Sequence, residues 1–177
     1  MYHTEKDTKS LKTESIVYSK QNDLKSEFSA ITNLPGFVIA KDINSKYSVI
    51  SKDYALLLGW KNPDQCIDLT DFDIPCEAVK AAEQFRTLDQ KVIDTAKSVL
   101  SLYICNYSAG WKTLLSNKVP IKQENNKISG IYGHVTDMSN TNIFNWCLAL
   151  NQKDQKFMNS KDNPAIYILN EEHSPLP

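Results

Sequence analysis

Few residues in this chain are of the types that carry chemistry, and their spacing favours none of the common reactive sites. A zinc site needs four ligands at short, regular spacings, and no Cys-x-x-Cys or paired histidine occurs among Cys66, Cys76, Cys105, Cys147, His3, His134 and His173. The sequence also lacks a glycine-rich phosphate loop, a serine elbow and a His-Glu-x-x-His motif. We therefore expect no metal site and no enzymatic activity.

The cysteines and the central histidine also have structural explanations. Nothing around the four cysteines indicates secretion, which favours reduced thiols, and Cys105 and Cys147 are typical of small buried side chains. His134 lies in a β-rich run, where an imidazole that changes charge near neutral pH could bind a ligand or sense a signal. A hydrogen-bonded structural histidine is the commoner case. Both roles stay open for His134.

The elements that must position these residues begin with a hairpin and two helices. Runs 37–40 and 47–50 are rich in β-branched and aromatic residues and flank a polar Asp/Asn turn, which predicts a β-hairpin. A helical run follows at 52–58 and is closed by Gly59, the usual residue after a helix end. A longer helix is predicted over 77–97, because apolar residues recur there at spacings of three and four: Val79, Ala82, Phe85, Leu88, Val92 and Ile93.

The segment 98–139 predicts an antiparallel meander of three strands. Polar turn residues at 107–110 and 123–127 separate its β-rich runs, and the last strand is expected over 128–136. The order along the chain is therefore two strands, a cluster of helices and three strands. A further short β-like patch lies at 165–169, and its role stays open.

Four pieces of sequence in this order resemble a PAS domain between about residues 34 and 139. They are LPGFVIAKD at the start, YSVISKDYALLLGW after it, Lys118-Val119-Pro120 in the penultimate strand, and GIYGHVTDMS at the exit. The resemblance implies an α+β fold with a five-stranded antiparallel sheet and helices on one face. It also implies helices that flank the domain on its N- and C-terminal sides.

A narrower resemblance concerns the context of the domain. The segments DFDIPCEAV and LDQKVIDTAK, with the ending Ser174-Pro175-Leu176-Pro177, are similar to PAS regions that precede LuxR-type helix-turn-helix domains in bacterial regulators. The likeness implies a sensory module that regulates transcription. No helix-turn-helix pattern lies within this chain, so DNA binding is expected only of a longer parent or a partner.

Two other functions stay open beside this one. The domain could be an input or dimerisation module of a histidine kinase or cyclase that binds no ligand. A kinase input would continue into a long heptad helix, however, whereas Pro164, Pro175 and Pro177 interrupt this chain. The second alternative is a small-molecule enzyme in an α+β shell, which would need acids and bases clustered in its cavity.

Composition and charge limit the partners. The 177 residues include 20 basic and 21 acidic side chains, a formal net charge of −1, which provides no footprint for nucleic acid. The apolar runs are far shorter than the ~20 residues that cross a bilayer. Residues 1–10 lack the apolar core of a signal peptide. We expect a soluble, cytoplasmic protein without membrane contact.

The predicted domain organisation surrounds the PAS region of 35–139 with four further segments. Residues 1–21 form a disordered or loosely ordered tail, 22–34 and 140–160 form flanking helices, and 161–177 form a linker toward an output domain absent from this chain. Each helix has an apolar stripe that must be buried against its own sheet or against a second copy. A homodimer would use Leu24, Phe28, Ile31, Ile143, Trp146, Cys147 and Leu150.

The candidate ligand site is the interior of the PAS-like fold, between the long helix and the sheet. Alternation in the strands and spacing in the helix select Phe72, Phe85, Leu88, Val92, Tyr103, Cys105, Tyr132 and His134. The same residues could simply be core. Haem-binding relatives carry an axial histidine on the long helix, and flavin-binding ones an Asn-Cys-Arg motif. Neither occurs here, so we expect no haem or flavin and at most an unidentified small organic ligand.

One residue at the exit of the domain is a candidate for signal transfer. Asp137 ends the last strand just before the predicted output helix. Its carboxylate could cap the helix amides or pair with a nearby lysine or arginine. The first role is structural, and the second could couple the sheet to the output.

Overall fold

The computed structural model describes residues 17–19, 32, 36–141 and 164–169. The predicted dimer-interface residues lie outside these ranges: Leu24, Phe28, Ile31, Ile143, Trp146, Cys147 and Leu150. Within the tail predicted to be loosely ordered, Val17–Ser19 form strand β1. This strand runs parallel to Ile121–Gln123, so part of the tail belongs to the sheet.

Five strands form the antiparallel sheet that the sequence predicts. They are β2 (Phe37–Asp42), β3 (Tyr47–Ile50), β4 (Val99–Tyr107), β5 (Gly110–Gln123) and β6 (Ile128–Asp137). Their spatial order is β3-β2-β6-β5-β4, so the first hairpin pairs with the last strand of the meander. That closing pair joins Phe37–Asp42 to residues 130–135.

A seventh strand, β7 (Ala165–Ile168), covers the outer edge of the sheet. It pairs antiparallel with β4 from Ser101 to Ile104, and the amide of Leu169 donates to the carbonyl of Leu100 at 2.8 Å. The β-like patch near the end of the sequence is therefore a strand. It satisfies edge groups of β4 that would otherwise need water or another chain.

Local chemistry explains the turns. In the first hairpin the Asp42 carboxylate accepts the amides of Asn44 and Lys46 at 2.8 and 2.9 Å. Gly110, at φ +91°, takes the left-handed conformation at the β4–β5 turn, and Asn126, at φ +63°, does so in the turn that begins with Gln123. Both turns of the meander fall where the sequence predicts them.

Helices cover one face of the sheet. Helix α1 spans Lys52–Leu57, and Gly59 ends it at φ +97°. Three 3-10 helices follow, at Pro63–Cys66, Asp71–Asp73 and Glu77–Ala81. Helix α2 spans Ala82–Thr95. The single helix predicted over 77–97 thus begins as a 3-10 segment and stops at Ala96, whose φ is +52°.

The sheet is buried on both faces, but unequally. The main core lies between the sheet and the helices and includes Phe85, Leu88 and Val92 of α2. A smaller apolar cluster on the opposite face holds Val38, Ala40, Val49 and Ile121. No helix among the described residues is long and apolar enough to cross a membrane.

Candidate functional site

A cluster of four charged side chains lies inside the main core. Lys41 at the end of β2 contacts two carboxylates, with its Nζ 2.5 Å from Asp71 Oδ2 and 3.0 Å from Asp89 Oδ2. Lys118 on β5 contacts the other oxygen of Asp89 and donates to the carbonyl of Phe85 at 3.1 Å. The cluster therefore joins four elements: β2, the 3-10 helix Asp71–Asp73, α2 and β5.

These charges are almost completely removed from water. The exposed fractions are 1% for Lys41, 4% for Asp71, 0% for Asp89 and 3% for Lys118. Desolvation costs several kcal/mol per ion, and apolar residues of similar volume often replace such a cluster with no loss of stability. Two lysines balance two aspartates, so the cluster has no net formal charge. A contribution to the stability of the fold is therefore a weak explanation for the presence of this cluster.

The central pair keeps its charges at neutral pH. Burial alone would raise the pKa of the Asp89 carboxyl, but Lys118 and Lys41 outweigh burial and hold it below its usual range. Burial lowers the pKa of the Lys118 ammonium, yet Asp89 more than compensates and holds it above its usual range. Burial, and then Asp71, raise the pKa of Tyr47. Its neutral hydroxyl donates to Asp71 Oδ1 at 2.5 Å.

A small cavity adjoins the cluster. Its volume is about 10 Å³, and a single water needs roughly 10–15 Å³ on the same measure. The walls are Ile39, Lys41, Tyr47, Tyr54, Leu58, Asp71, Ile74, Phe85, Tyr103, Ser116 and Lys118. The rings of Phe85 and Tyr103 meet here with centroids 5.0 Å apart. The wall thus combines aromatic and aliphatic side chains with three charged ones.

Two hydroxyls in the cavity wall are unsatisfied. Tyr103 OH and Ser116 Oγ are buried, and neither has a hydrogen-bond partner among the described residues. Leaving a buried polar group unpaired costs about 1–3 kcal/mol. A bound molecule with polar atoms could satisfy both hydroxyls.

The structure brings only part of the predicted ligand set to this cavity. Phe85 and Tyr103 line it, whereas Leu88, Val92 and Cys105 pack in the surrounding main core without lining it. Phe72 lies outside: 51% of its side chain is exposed, on the far side of the segment that carries Asp71. Phe72 lies in a 3-10 helix of only three residues, so no periodicity indicated this direction.

Tyr132 and His134 lie on the opposite face of the sheet. Tyr132 packs against the smaller apolar cluster and His134 is exposed, whereas their neighbours Ile131 and Val135 belong to the main core. Alternation along β6 places these two residues together, but alternation does not say which face is inner. At Gly133, on the inner face, a Cβ would lie 2.8 Å from Ile39 Cγ1, so a side chain has no room there.

The polar half of the site was not predicted from the sequence, although the sequence contains a signal for it. Asp89 occupies the apolar stripe of α2, four residues after Phe85 and three before Val92. Lys118 likewise occupies a buried position of β5, at two-residue spacing from Leu114 and Ser116. A charge at a core position predicts a buried partner of opposite sign, and the missed residues are Lys41, Tyr47, Asp71, Asp89, Ser116 and Lys118.

The exit of the domain is built around Asp137. Its Oδ2 lies 3.0 Å from Lys112 Nζ on β5, and its Oδ1 accepts the amide of Ser139 at 2.8 Å. Burial would raise the pKa of Asp137, but Ser139 and Lys112 together hold it below its usual range. The amide of Met138 donates to the carbonyl of Thr113 at 2.7 Å. The end of β6 is thereby fastened to β5.

Two of the thiols among the described residues are held in their unreactive, protonated form. Burial raises the pKa of Cys66 and of Cys105 to about 12, so both are protonated at neutral pH. Within the described part of the chain, no group of three or more histidine, cysteine, aspartate or glutamate side chains could hold a metal ion. The predictions of no haem and no flavin stay predictions.

Comparisons with known proteins place this geometry in context. The sequence profile of a family described as PAS fold matches residues 31–142. Among curated proteins, none matches the sequence. The Vibrio cholerae VqmA dimer without target DNA, described as a LuxR-type receptor, is 32% identical with a TM-score of 0.60, over 66% of this chain and 52% of that chain.

Two further VqmA structures are similar. VqmA bound to DPO is 33% identical with a TM-score of 0.58, over 63% of this chain and 56% of that one. A VqmA–ligand–DNA complex is 28% identical with a TM-score of 0.60, over 76% of this chain and 61% of that one. This chain thus spans 52% to 61% of the length of these three proteins.

Proposed function

Because the chain belongs to the PAS fold family, we propose that it is a sensory module that binds a small organic molecule in its interior cavity and controls transcription. The output would be a LuxR-type helix-turn-helix domain, either attached in a longer parent or carried by a partner. The similarity to VqmA, solved both with DPO and with ligand and DNA, supports this proposal. The module itself catalyses no reaction.

The single observation that carries ligand binding is the pair of unsatisfied hydroxyls in the cavity wall. Tyr103 and Ser116 line the cavity together with Lys118, and both hydroxyls are buried without a hydrogen-bond partner among the described residues. A ligand that pairs with them offsets a cost that the empty fold bears. Besides Lys41 and Asp71, the rest of the wall is apolar and aromatic, and small-molecule pockets typically combine such walls with a few orienting polar groups.

A second function is favoured by the cavity's size. At about 10 Å³ the cavity is nearly filled by its own side chains, as expected of a PAS scaffold that only supports dimerisation. The two functions differ in one measurable respect. The sensor binds a ligand that stabilises it, and the scaffold does not.

DPO is the natural probe, since VqmA binds it. We expect DPO to raise the melting temperature of the protein and to give a saturable calorimetric isotherm. Tyr103→Phe and Ser116→Ala should each weaken binding about fivefold to a hundredfold, the range for one hydrogen bond. Matched controls lie on β4, outside the cavity wall: Tyr107→Phe and Ser101→Ala remove hydroxyls that are also buried without a partner among the described residues, and should leave binding unchanged.

The opposite results would favour the scaffold. Ligand binding would be contradicted by two results together. DPO would cause no thermal shift, and native mass spectrometry of the protein purified from cells would detect no retained small molecule. Equal losses in the cavity variants and in the β4 controls would place the ligand elsewhere.

We also propose a homodimer formed by the helices expected at 22–34 and 140–160. Replacement of Ile143 and Trp146 by glutamate should convert the dimer to a monomer with its sheet intact, measured by sedimentation and circular dichroism. An unchanged sedimentation coefficient would contradict this contact.

A further inference from the structure

We infer that residues 70–74 form a lid over the interior cavity, that Asp71 latches the lid shut, and that a ligand reaches the cavity by displacing it. This inference rests on the proposed ligand site and describes how access to that site is controlled.

Some wall of the cavity must move before any organic molecule can enter. The free volume is close to that of one water, and every lining side chain is less than a tenth exposed. The sheet wall is held by continuous backbone pairing from β3 to β4. Helix α2 buries Phe85, Leu88, Asp89 and Val92 and would expose all of them if it moved. Helix α1 lines the cavity through Tyr54 and is likewise packed into the main core. The wall with the fewest buried residues is the short 3-10 segment around Asp71–Asp73.

This segment separates an inner space from an outer one. Asp71 and Ile74 face the cavity, and each is 4% exposed. Phe72 between them faces outward into a surface groove of about 610 Å³, bounded on its other side by the outward residues of α2, among them Arg86 and Gln90. A single turn of chain therefore divides open solvent space from the cavity. Displacing that turn joins the two.

Both ends of the segment are anchored, which suits a hinged element. On one side Asp68, at φ +65°, donates its amide to the carbonyl of Tyr47, and the carbonyl of Leu69 accepts the amide of Tyr47, both at 2.9 Å. On the other side Pro75 packs at Gly59, where even a Cβ would lie 3.2 Å from the proline ring. The five residues between these anchors can move without breaking either one.

One side chain provides the polar attachment of the lid. The Thr70 and Asp73 side chains hydrogen-bond each other within the segment. The Asp71 carboxylate instead crosses to the fixed walls, to Lys41 and to the hydroxyl of Tyr47, both at 2.5 Å. Besides Asp71, only Ile74 of the segment is buried, and short segments of this kind open locally at lower cost than helices and sheets. Removing the Asp71 charge should therefore free the lid while the core stays folded.

Thiol labelling tests the lid without any ligand. Ile74→Cys places a thiol on its inner side, and Cys105, fully buried on β4, reports unfolding of the core. With a thiol reagent and peptide mass spectrometry, we expect Cys at position 74 to react at least about tenfold faster than Cys105. Adding Asp71→Asn should speed that labelling by about tenfold to a hundredfold, since bonds to a charged group are lost.

Two variants keep this test decisive. Asp64→Asn makes the same charge change at an exposed position on the preceding 3-10 helix and should leave the labelling rate within about twofold. If Asp71→Asn fails to fold, Tyr47→Phe removes only one bond of the latch and should still speed labelling. The lid is contradicted if the introduced thiol never reacts faster than Cys105, or if neither latch variant changes its rate relative to Asp64→Asn.

Binding kinetics separate the lid from the ligand proposal. With DPO as the probe, Asp71→Asn should raise the association rate, which is the readout used because Asp71 itself lines the cavity and its loss can also change the dissociation rate. An unchanged association rate would show that DPO does not enter beneath this segment. Absence of any DPO binding counts against the ligand proposed above, and the labelling experiment then still decides whether the segment opens.

Discussion

Strand β5 contributes a lysine to each of two Asp–Lys pairs that share their chemistry and differ in their surroundings. Lys118 pairs with Asp89 in the interior, where both side chains are at most 3% exposed. Lys112 pairs with Asp137 at the exit of the domain, 3.0 Å apart, with 29% and 33% of the two side chains exposed. Water is excluded from the first pair, whereas it reaches the second pair.

The difference between the pairs separates two kinds of contribution. A buried pair loses hydration that its attraction barely restores, whereas a surface pair contributes between about 0 and 1 kcal/mol. Breaking one member of the buried pair strands a charge, and breaking the exposed pair exposes a charge that water already solvates. Mutations of the interior pair should therefore lower the stability of the fold more than mutations of the exit pair. The exit pair should matter mainly because it fixes the end of β6 against β5.

The largest expected effect comes from Asp89→Ala. The substitution leaves Lys118 buried without a counter-charge and leaves Lys41 with Asp71 as its remaining partner. We therefore expect a loss of about 3–5 kcal/mol in the free energy of unfolding. Urea denaturation followed by circular dichroism measures it. The matched change at the exit, Asp137→Ala, should cost at most about 1 kcal/mol. Equal losses at the two sites would contradict the comparison.

The pH dependence of stability should be the next largest effect. The folded pKa of Asp89 lies below its unfolded value of about 3.9, so its contribution is present above that value and is lost as pH falls through the folded pKa. The folded pKa of Lys118 lies above about 10.4, so its contribution is present below that value and is lost as pH rises through the folded pKa. A difference of one between the folded and the unfolded pKa of a group corresponds to about 1.4 kcal/mol of stability.

A variant without either charge provides the control for pH. Asp89→Leu combined with Lys118→Met removes the pair and leaves Lys41 with Asp71. Its unfolding free energy should decline less than that of the native chain below pH 4 and above pH 10. Parallel curves for the two proteins across both ranges would show that this pair does not set the pH limits of the fold.

Local patterns predicted most of the fold. The alternation in 98–139, the turn residues near Gly110 and Asn126, and the helical spacing around Phe85 are all encoded within a few neighbouring residues. The switch from 3-10 to α-helix at Ala82 was not encoded in that spacing, since both geometries can bury such a stripe.

The site was less predictable, because it depends on which faces meet. Alternation grouped Tyr132 with His134 correctly, yet their face turned out to be the outer one. Asp71 lies in a short 3-10 helix with no periodicity to orient it, and its partners are 24 and 30 residues away. Only three-dimensional pairing assembles such a cluster. The charges of Asp89 and Lys118 at core positions were the signals that the sequence offered.

Salt should distinguish the two lysines by a smaller effect. At low ionic strength Lys112→Met should cost at most about 1 kcal/mol. That cost should vanish near 1 M NaCl, where the screening length is about 3 Å. The cost of Lys118→Met should hardly change with salt, because ions do not reach its pair. Urea unfolding of both variants at 20 mM and 1 M NaCl measures this, and a salt-dependent Lys118→Met would show that the interior pair is hydrated.

The smallest effect on stability, and the most informative for signalling, is expected at Asp137. Its carboxylate joins β6 to β5 through Lys112 and fixes the following turn through the amide of Ser139. If this is only a structural cap, Asp137→Ala lowers the melting temperature slightly and changes nothing else. If it is the joint that carries the signal, the same variant binds ligand and dimerises as before, yet loses regulation of a reporter gene in a longer parent with its DNA-binding domain.

Asp137→Asn and Lys112→Met sharpen the choice at this joint. Asparagine can still accept the Ser139 amide but cannot form the ion pair, and Lys112→Met removes the pair while it keeps the carboxylate. Loss of regulation in both would assign the coupling to the ion pair. Loss in Asp137→Ala alone would assign it to the turn at Ser139. Regulation that survives all three variants would show that the signal leaves the sheet by another route, for which β7 on the edge of β4 is the other described contact between the sheet and the C-terminal part of the chain.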